Sequence, residues 1–192
     1  MTAITVNFNP IIKLTNDQFY QLCQANPDVK FERNVQGEIL IMPPTGGTTG
    51  NRNFKLAQQL ANWTDTDGTG IGFDSSTCFQ LPNGSNRSPD AAWIPLEKWN
   101  ALTPEQQEKF PPLCPDFVVE LRSASDALKP LQEKMQEYME NGTRLGWLIN
   151  GQNRQVEIYR PGREKEVLDN PATLFGEDIL PGFCLNLPIV WG

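Results

Sequence analysis

Asp90 lies in the run Arg87-Ser88-Pro89-Asp90-Ala91-Ala92-Trp93-Ile94, and Glu120 in the run Pro115-Asp116-Phe117-Val118-Val119-Glu120-Leu121-Arg122. Both runs read as short strands. Each sets a carboxylate where a strand with only a packing role carries an apolar or neutral side chain. The second run leads into a helix that carries Lys134. A strand aspartate, a strand glutamate and a nearby ammonium are the groups with which a hydrolase holds a divalent metal and activates water on a phosphodiester. Plainer readings stand beside this one. Asp90 is also placed to be a turn-exit carboxylate, and Lys134 to form a surface ion pair with Glu137 at i+3, worth about 0.3 to 0.5 kcal/mol. Glu120 closes a buried apolar run, where an unpartnered carboxylate is costly.

The composition narrows the chemistry further. There is no histidine among the 192 residues, which removes Ser-His-Asp and Cys-His pairs, imidazole bases and histidine metal sites. Acid–base work is left to carboxylates, Lys, Tyr or water on a metal. Cys23, Cys78, Cys114 and Cys184 are scattered without a C-x-x-C pair, so a disulfide scaffold or zinc site is not expected, and reduced, cytoplasmic thiols are. The 16 basic and 23 acidic residues give a net charge of −7, which argues against a surface coated with phosphate contacts. A local basic patch, or an oligomer presenting one, remains compatible with nucleic acid. No apolar run reaches the ~18 to 20 residues of a membrane span, and Met1-Thr2-Ala3-Ile4-Thr5 lacks a signal-peptide pattern. One soluble, unexported globular domain is the expectation.

The elements that must carry these residues follow from local patterns. Thr15-Asn16-Asp17-Gln18 has capping-box form and opens a helix through about Ala25. Val29 to Arg33 and Glu38 to Ile41 read as a hairpin turning at Gly37. After a loop from Pro43 to Gly50, the stripe Leu56, Leu60, Trp63 predicts an amphipathic helix from Asn51 to Trp63. Gly70 to Asp74 and Thr77 to Leu81 read as strands joined by Ser75-Ser76, leading through the Asn83-Gly84 turn into the Asp90 strand as a meander. A partly helical excursion spans Glu97 to Leu113, with Thr103-Pro104-Glu105-Gln106 as a helix start. Phe117-Val118-Val119 suits a central strand buried on both faces. Ser123, Ser125 and Asp126 read as a cap for the next helix, which carries Leu131, Lys134 and Tyr138 on one stripe and ends at Asn141-Gly142. Leu145 to Ile149 and Gln155 to Tyr159 form a further hairpin. The class is α/β or α+β, with a mixed central sheet flanked by helices.

This order of Pro89-Asp90, then Glu120 on the next core strand, then a helix bearing Lys134 and Tyr138 resembles the PD-(D/E)XK nuclease superfamily. The segments FERNVQGEILIMPP, RSPDAAW, CPDFVVELRSASD, LQEKMQEYMENGTRLGWLIN and VEIYRPG are similar to the Uma-two family of bacterial restriction-endonuclease-like proteins. The resemblance covers nearly the whole chain. It implies a single restriction-endonuclease-like domain over residues 1–192, a magnesium ion, with manganese as a substitute, and cleavage of DNA, with a homodimer as the usual assembly. Mapped onto this sequence, Asp90 and Glu120 match the metal-binding pair, and the backbone carbonyl of Leu121 is the expected additional ligand.

The sequence departs from the superfamily pattern at the lysine. Two residues after Glu120, on the same face of the strand, stands Arg122, which suits phosphate charge but is a poor base. In the family the lysine comes from the following helix, and Lys134 takes that place, to orient the attacking water or help deprotonate it. The superfamily's third acid often lies on the first core helix, yet Asn51 to Trp63 contains no carboxylate. Glu38 and Glu32, in the family's GEI and FER segments, are the candidates for it. Thr48 and Asn51 stand where relatives often carry an acid or a histidine. These departures also admit a rival of another class, a binding or scaffold protein that keeps the nuclease fold without turnover. A glycosidase using paired carboxylates is a second rival.

Overall fold

The computed structural model describes residues 3–191. A short strand, β1 (Ile4–Val6), precedes α1 (Asn16–Ala25), whose Thr15 cap and Gln18 form the reciprocal capping box. The hairpin of β2 (Lys30–Arg33) and β3 (Ile39–Met42) pairs Glu32 with Leu40 and turns at Gly37, where φ is +89° and a side chain would be strained. Side chains alternate along β2. Arg33 lies on the α1 side, 5.3 Å from the Phe19 ring and bonded to Asn16 and the carbonyl of Leu14. Lys30 and Glu32 occupy the opposite face.

Helix α2 (Gly47–Asp67) is longer than its apolar stripe predicts, because it opens within the glycine-threonine loop. First-turn N–H groups need no intrahelical partner, so weak helix formers are tolerated there. Gly68, in the left-handed region, ends it. Strand β4 (Gly70–Asp74) follows, then β5 (Phe79–Gln80) and β6 (Asn86–Arg87), then β7 (Ala91–Pro95).

Here the structure corrects the meander. Strands β4 and β5 do not pair. The order β1-β3-β2-β6-β5 forms one sheet, while β4 and β7 belong to another. The expected single strand from Arg87 to Ile94 is therefore two strands in two sheets, divided by Ser88-Pro89-Asp90. Pro89 has no N–H to give to a ladder, which is why pairing stops there.

Two short helices, α3 (Leu96–Asn100) and α4 (Pro104–Glu108), make up the excursion, the second with the Thr103 capping box. Strand β8 (Phe117–Arg122), helix α5 (Leu128–Glu140) and strand β9 (Leu145–Asn150) form a βαβ unit, since β8 and β9 are parallel. With β10 (Gln155–Tyr159) and β11 (Glu166–Asp169) they complete a mixed six-stranded sheet, β11-β10-β9-β8-β7-β4. A small pair, β12 (Thr173–Phe175) with β13 (Cys184–Asn186), leads to α6 (Leu187–Trp191).

The six-stranded sheet is covered on both faces. On one, Leu56 and Leu60 of α2 and Val190 and Trp191 of α6 pack with Val119, Trp147 and Ile149; on the other, Met135 and Tyr138 of α5 pack with Val118 and Leu148. At Gly146 an added Cβ would fall 2.5 Å from the Met135 methyl, so α5 lies close on β9. Among the described residues no helix is long and apolar enough to cross a membrane.

Candidate active site

The gap between β6 and β7 is where the chemistry gathers. Because β7 begins only at Ala91, paired with Val119, the backbone of β8 beyond that point has no β7 partner. The Asp90 side chain substitutes for it: Oδ2 accepts the Leu121 N–H at 2.8 Å, and Oδ1 accepts the Asn53 amide at 3.1 Å. In an antiparallel pair a residue's N–H and carbonyl serve the same neighbour, so the Leu121 carbonyl shares this open edge. Asp90 keeps part of its surface accessible. Burial raises its pKa, against the Leu121 N–H and the charges of Lys30 and Lys134.

Glu120 is held from the helix above. Tyr138 Oη donates to its Oε1 at 3.1 Å, and Lys134 Nζ stands 2.8 Å from the same oxygen. Only 4% of Glu120 is exposed. Burial pushes its carboxyl up to about 7; Lys134 opposes the shift, while the nearby charges of Asp90 and Glu32 add to it.

Lys134 reaches further, to Glu32 Oε1 at 2.8 Å, and more weakly to the Ser88 carbonyl at 3.4 Å. The surface pair with Glu137 does not form: Glu137 instead accepts Arg87, at 2.6 Å. Burial alone would lower the Lys134 pKa, but Glu120 and Glu32 outweigh it and the pKa is raised. Glu32 also accepts Arg87 at 3.1 Å and the Ser88 N–H at 3.1 Å. Burial favours its neutral form, yet Lys134 and Arg87 hold it down to about 2. One chain of contacts thus ties β2, β6, β8 and α5 together across the two sheets.

The remaining candidates lie around this centre. Arg122 donates from Nε to the Asp126 carbonyl at 3.0 Å and is partly exposed. The predicted helix cap is replaced by a turn: Asp126 accepts the Ser123 N–H at 2.9 Å, and Ala127 occupies the cap position without a side-chain bond. Glu38 is not brought to the site; its carboxylate accepts Asn34 at 2.7 Å and Asn7 at 3.0 Å, fastening the β2–β3 turn to the N-terminal segment.

Two participants escape a reading by sequence. Asn53, not Thr48 or Asn51, is the α2 residue that meets Asp90; it lies inside the predicted helix, with nothing local to mark which of its polar residues faces the site. Arg87 is 8% exposed and grips two carboxylates; its place beside the Pro-Asp pair was the available signal.

Among the described residues no three His, Cys, Asp or Glu side chains gather into a group that would hold a metal ion. The donors present nevertheless fit a hard cation such as magnesium, which takes one or two carboxylates and completes its shell with water. Asp90 keeps part of its surface accessible and Glu120 is held by Lys134 and Tyr138, so a cation here would meet one open carboxylate and one already paired with an ammonium.

Comparison with known proteins identifies the family and the fold. The family model Uma2, "Putative restriction endonuclease", matches residues 16–188. No curated protein matches the chain. The crystal structure of a putative nuclease belonging to DUF820 from Anabaena variabilis ATCC 29413 is similar with a TM-score of 0.77 and 19% identity, over 93% of this chain and 97% of that one. That likeness establishes a shared fold.

Proposed function

The chain belongs to the Uma2 family of putative restriction endonucleases, and from that membership together with the site we propose that it is a magnesium-dependent endonuclease that hydrolyses phosphodiester bonds of DNA. The observation that carries this reading is the Lys134 ammonium set 2.8 Å from Glu120, on the strand edge where Asp90 binds the Leu121 N–H.

Asp90 and Glu120 are the residues that would hold the cation, magnesium or manganese, with the Leu121 carbonyl beside them. A divalent ion there supplies Lewis acidity toward water and a phosphate oxygen. Lys134, fixed by two carboxylates and with a raised pKa, keeps its proton and acts as a donor. Its longest bond, 3.4 Å to the Ser88 carbonyl, is the one most readily exchanged for a water or a phosphate oxygen, so Lys134 orients and neutralises rather than deprotonates. Tyr138 holds Glu120 in place. Arg122, two residues along the same strand face, is positioned to meet negative charge developing on phosphate. A homodimer is the assembly this reading carries for double-strand cleavage.

Purified chain incubated with supercoiled plasmid and magnesium or manganese should nick it, and Asp90→Ala should not. Equal inertness of both proteins on DNA and RNA sinks the reading. One observation favours the rival, a nuclease-fold scaffold: Lys134 already neutralises Glu32 and Glu120 without an ion. Calorimetric titration with manganese separates the two, since a scaffold releases no Asp90-dependent heat.

A further inference from the structure

The committed state of Lys134 leaves open which side chain meets the substrate. Its ammonium has close contacts to Glu32, Glu120 and the Ser88 carbonyl, and Arg87 is spent on Glu32 and Glu137. Lys30 differs. It sits two residues before Glu32 on β2, so both side chains leave the same face of the strand. Arg33 and Phe31 turn the other way, toward α1. Among the described residues the Lys30 ammonium forms no ion pair or hydrogen bond of its own, and the residue is only partly buried. Its charge nevertheless reaches Asp90 and Glu32, where it favours the ionised carboxylates.

We propose that Lys30 is a substrate-binding residue, whose free ammonium takes a non-bridging oxygen of a nucleic-acid phosphate beside Asp90. The proposal rests on the nuclease reading above and adds a phosphate contact to the one Lys134 can make by giving up its 3.4 Å bond to the Ser88 carbonyl. A long, flexible stem lets a lysine on a neighbouring sheet reach a phosphate as a point charge, without the planar fork that Arg122 presents. In a chain of net charge −7 it offers a polyanion a cation without a paired carboxylate, on the strand face that carries Glu32.

The test compares wild type with Lys30→Met and Lys30→Arg, using a DNA duplex, magnesium or manganese, and a series of salt concentrations. Lys30→Met should raise KM with kcat retained and reduce the slope of log affinity against log salt by about 1. Lys30→Arg should restore both, while the urea midpoint stays at its wild-type value in each variant. A wild type that cleaves, with Lys30→Met matching it in KM and salt slope, overturns the assignment and leaves the nuclease reading standing. A change in manganese affinity with an unchanged salt slope also overturns it, by showing that Lys30 serves Asp90 alone. A wild type that neither cleaves nor binds DNA removes the nuclease reading, and this assignment with it.

Discussion

The Asp90 carboxylate accepts the Leu121 N–H at 2.8 Å, so a side chain takes over where the ladder between β7 and β8 ends at Ala91. The bond makes two roles of Asp90 separable. Asp90→Ala should lose about 1 to 3 kcal/mol, because a buried donor loses its acceptor, and should lose divalent-dependent nicking. Asp90→Asn keeps an acceptor oxygen and should unfold near the wild-type urea midpoint, yet stay inactive. An Asp90→Asn protein that nicks plasmid at the wild-type rate would exclude a charge role.

Lys134 joins two carboxylates that are 1% and 4% exposed. Removing it as Lys134→Met should cost about 3 to 5 kcal/mol, the usual penalty of stranding buried charge, and should lower turnover by about 10² to 10³, as loss of one electrostatic donor does. Adding Glu32→Gln to Lys134→Met should recover part of the stability but none of the activity. A double-mutant cycle read by urea unfolding measures that coupling, and additive effects would show that the two side chains do not communicate.

The acid limb of stability should carry a Glu32 signature. Its folded pKa of about 2 lies below the ordinary 4.5, so the stability it contributes is present above pH 4.5 and lost as pH falls toward 2. Glu120 has the opposite sign. Raised to about 7 from 4.5, it contributes stability that is full below pH 4.5 and lost as pH rises through 7. Unfolding midpoints measured from pH 3 to 8 should therefore flatten at the acid end in Glu32→Gln and at the neutral end in Glu120→Gln, each relative to wild type. Unchanged profiles would contradict the paired-carboxylate geometry.

Asn53 orients Asp90 through one bond of 3.1 Å. Asn53→Ala should weaken manganese binding by about 10- to 100-fold, as loss of a group that orients a metal ligand does. Asn53→Asp places a third carboxylate on the first core helix, destabilising the metal-free chain by like-charge repulsion while tightening divalent binding. Calorimetry with manganese reads both, and an Asn53→Asp variant indifferent to the ion would place Asn53 outside the coordination sphere's reach.

The order of elements and the α5 stripe that turns Lys134 toward the sheet are legible in the sequence because each rests on local periodicity, whereas the preference for Lys134 over Arg122 and the reading of Asp90 and Glu120 as a metal pair also draw on the family resemblance. Capping at Thr15, the apolar run of β8 and the i, i+3, i+7 stripe of α5 concern neighbours within a few residues. Glu32 and Glu38 are not distinguishable that way. They flank one turn, and only the pairing of β2 with β6 aims Glu32 at Arg87 and Lys134 while Glu38 is spent on Asn34 and Asn7.

The split of one apparent strand into β6 and β7 was likewise decided by tertiary structure. Local propensity favours an extended chain on both sides of Pro89 and is silent on which sheet each half joins. Sequence alone fixed the residue types able to hold a hard cation and excluded every histidine mechanism. The fold decided which carboxylates converge, because burying a charge is tolerable only where partners from several elements arrive together; that cooperative condition has no local trace.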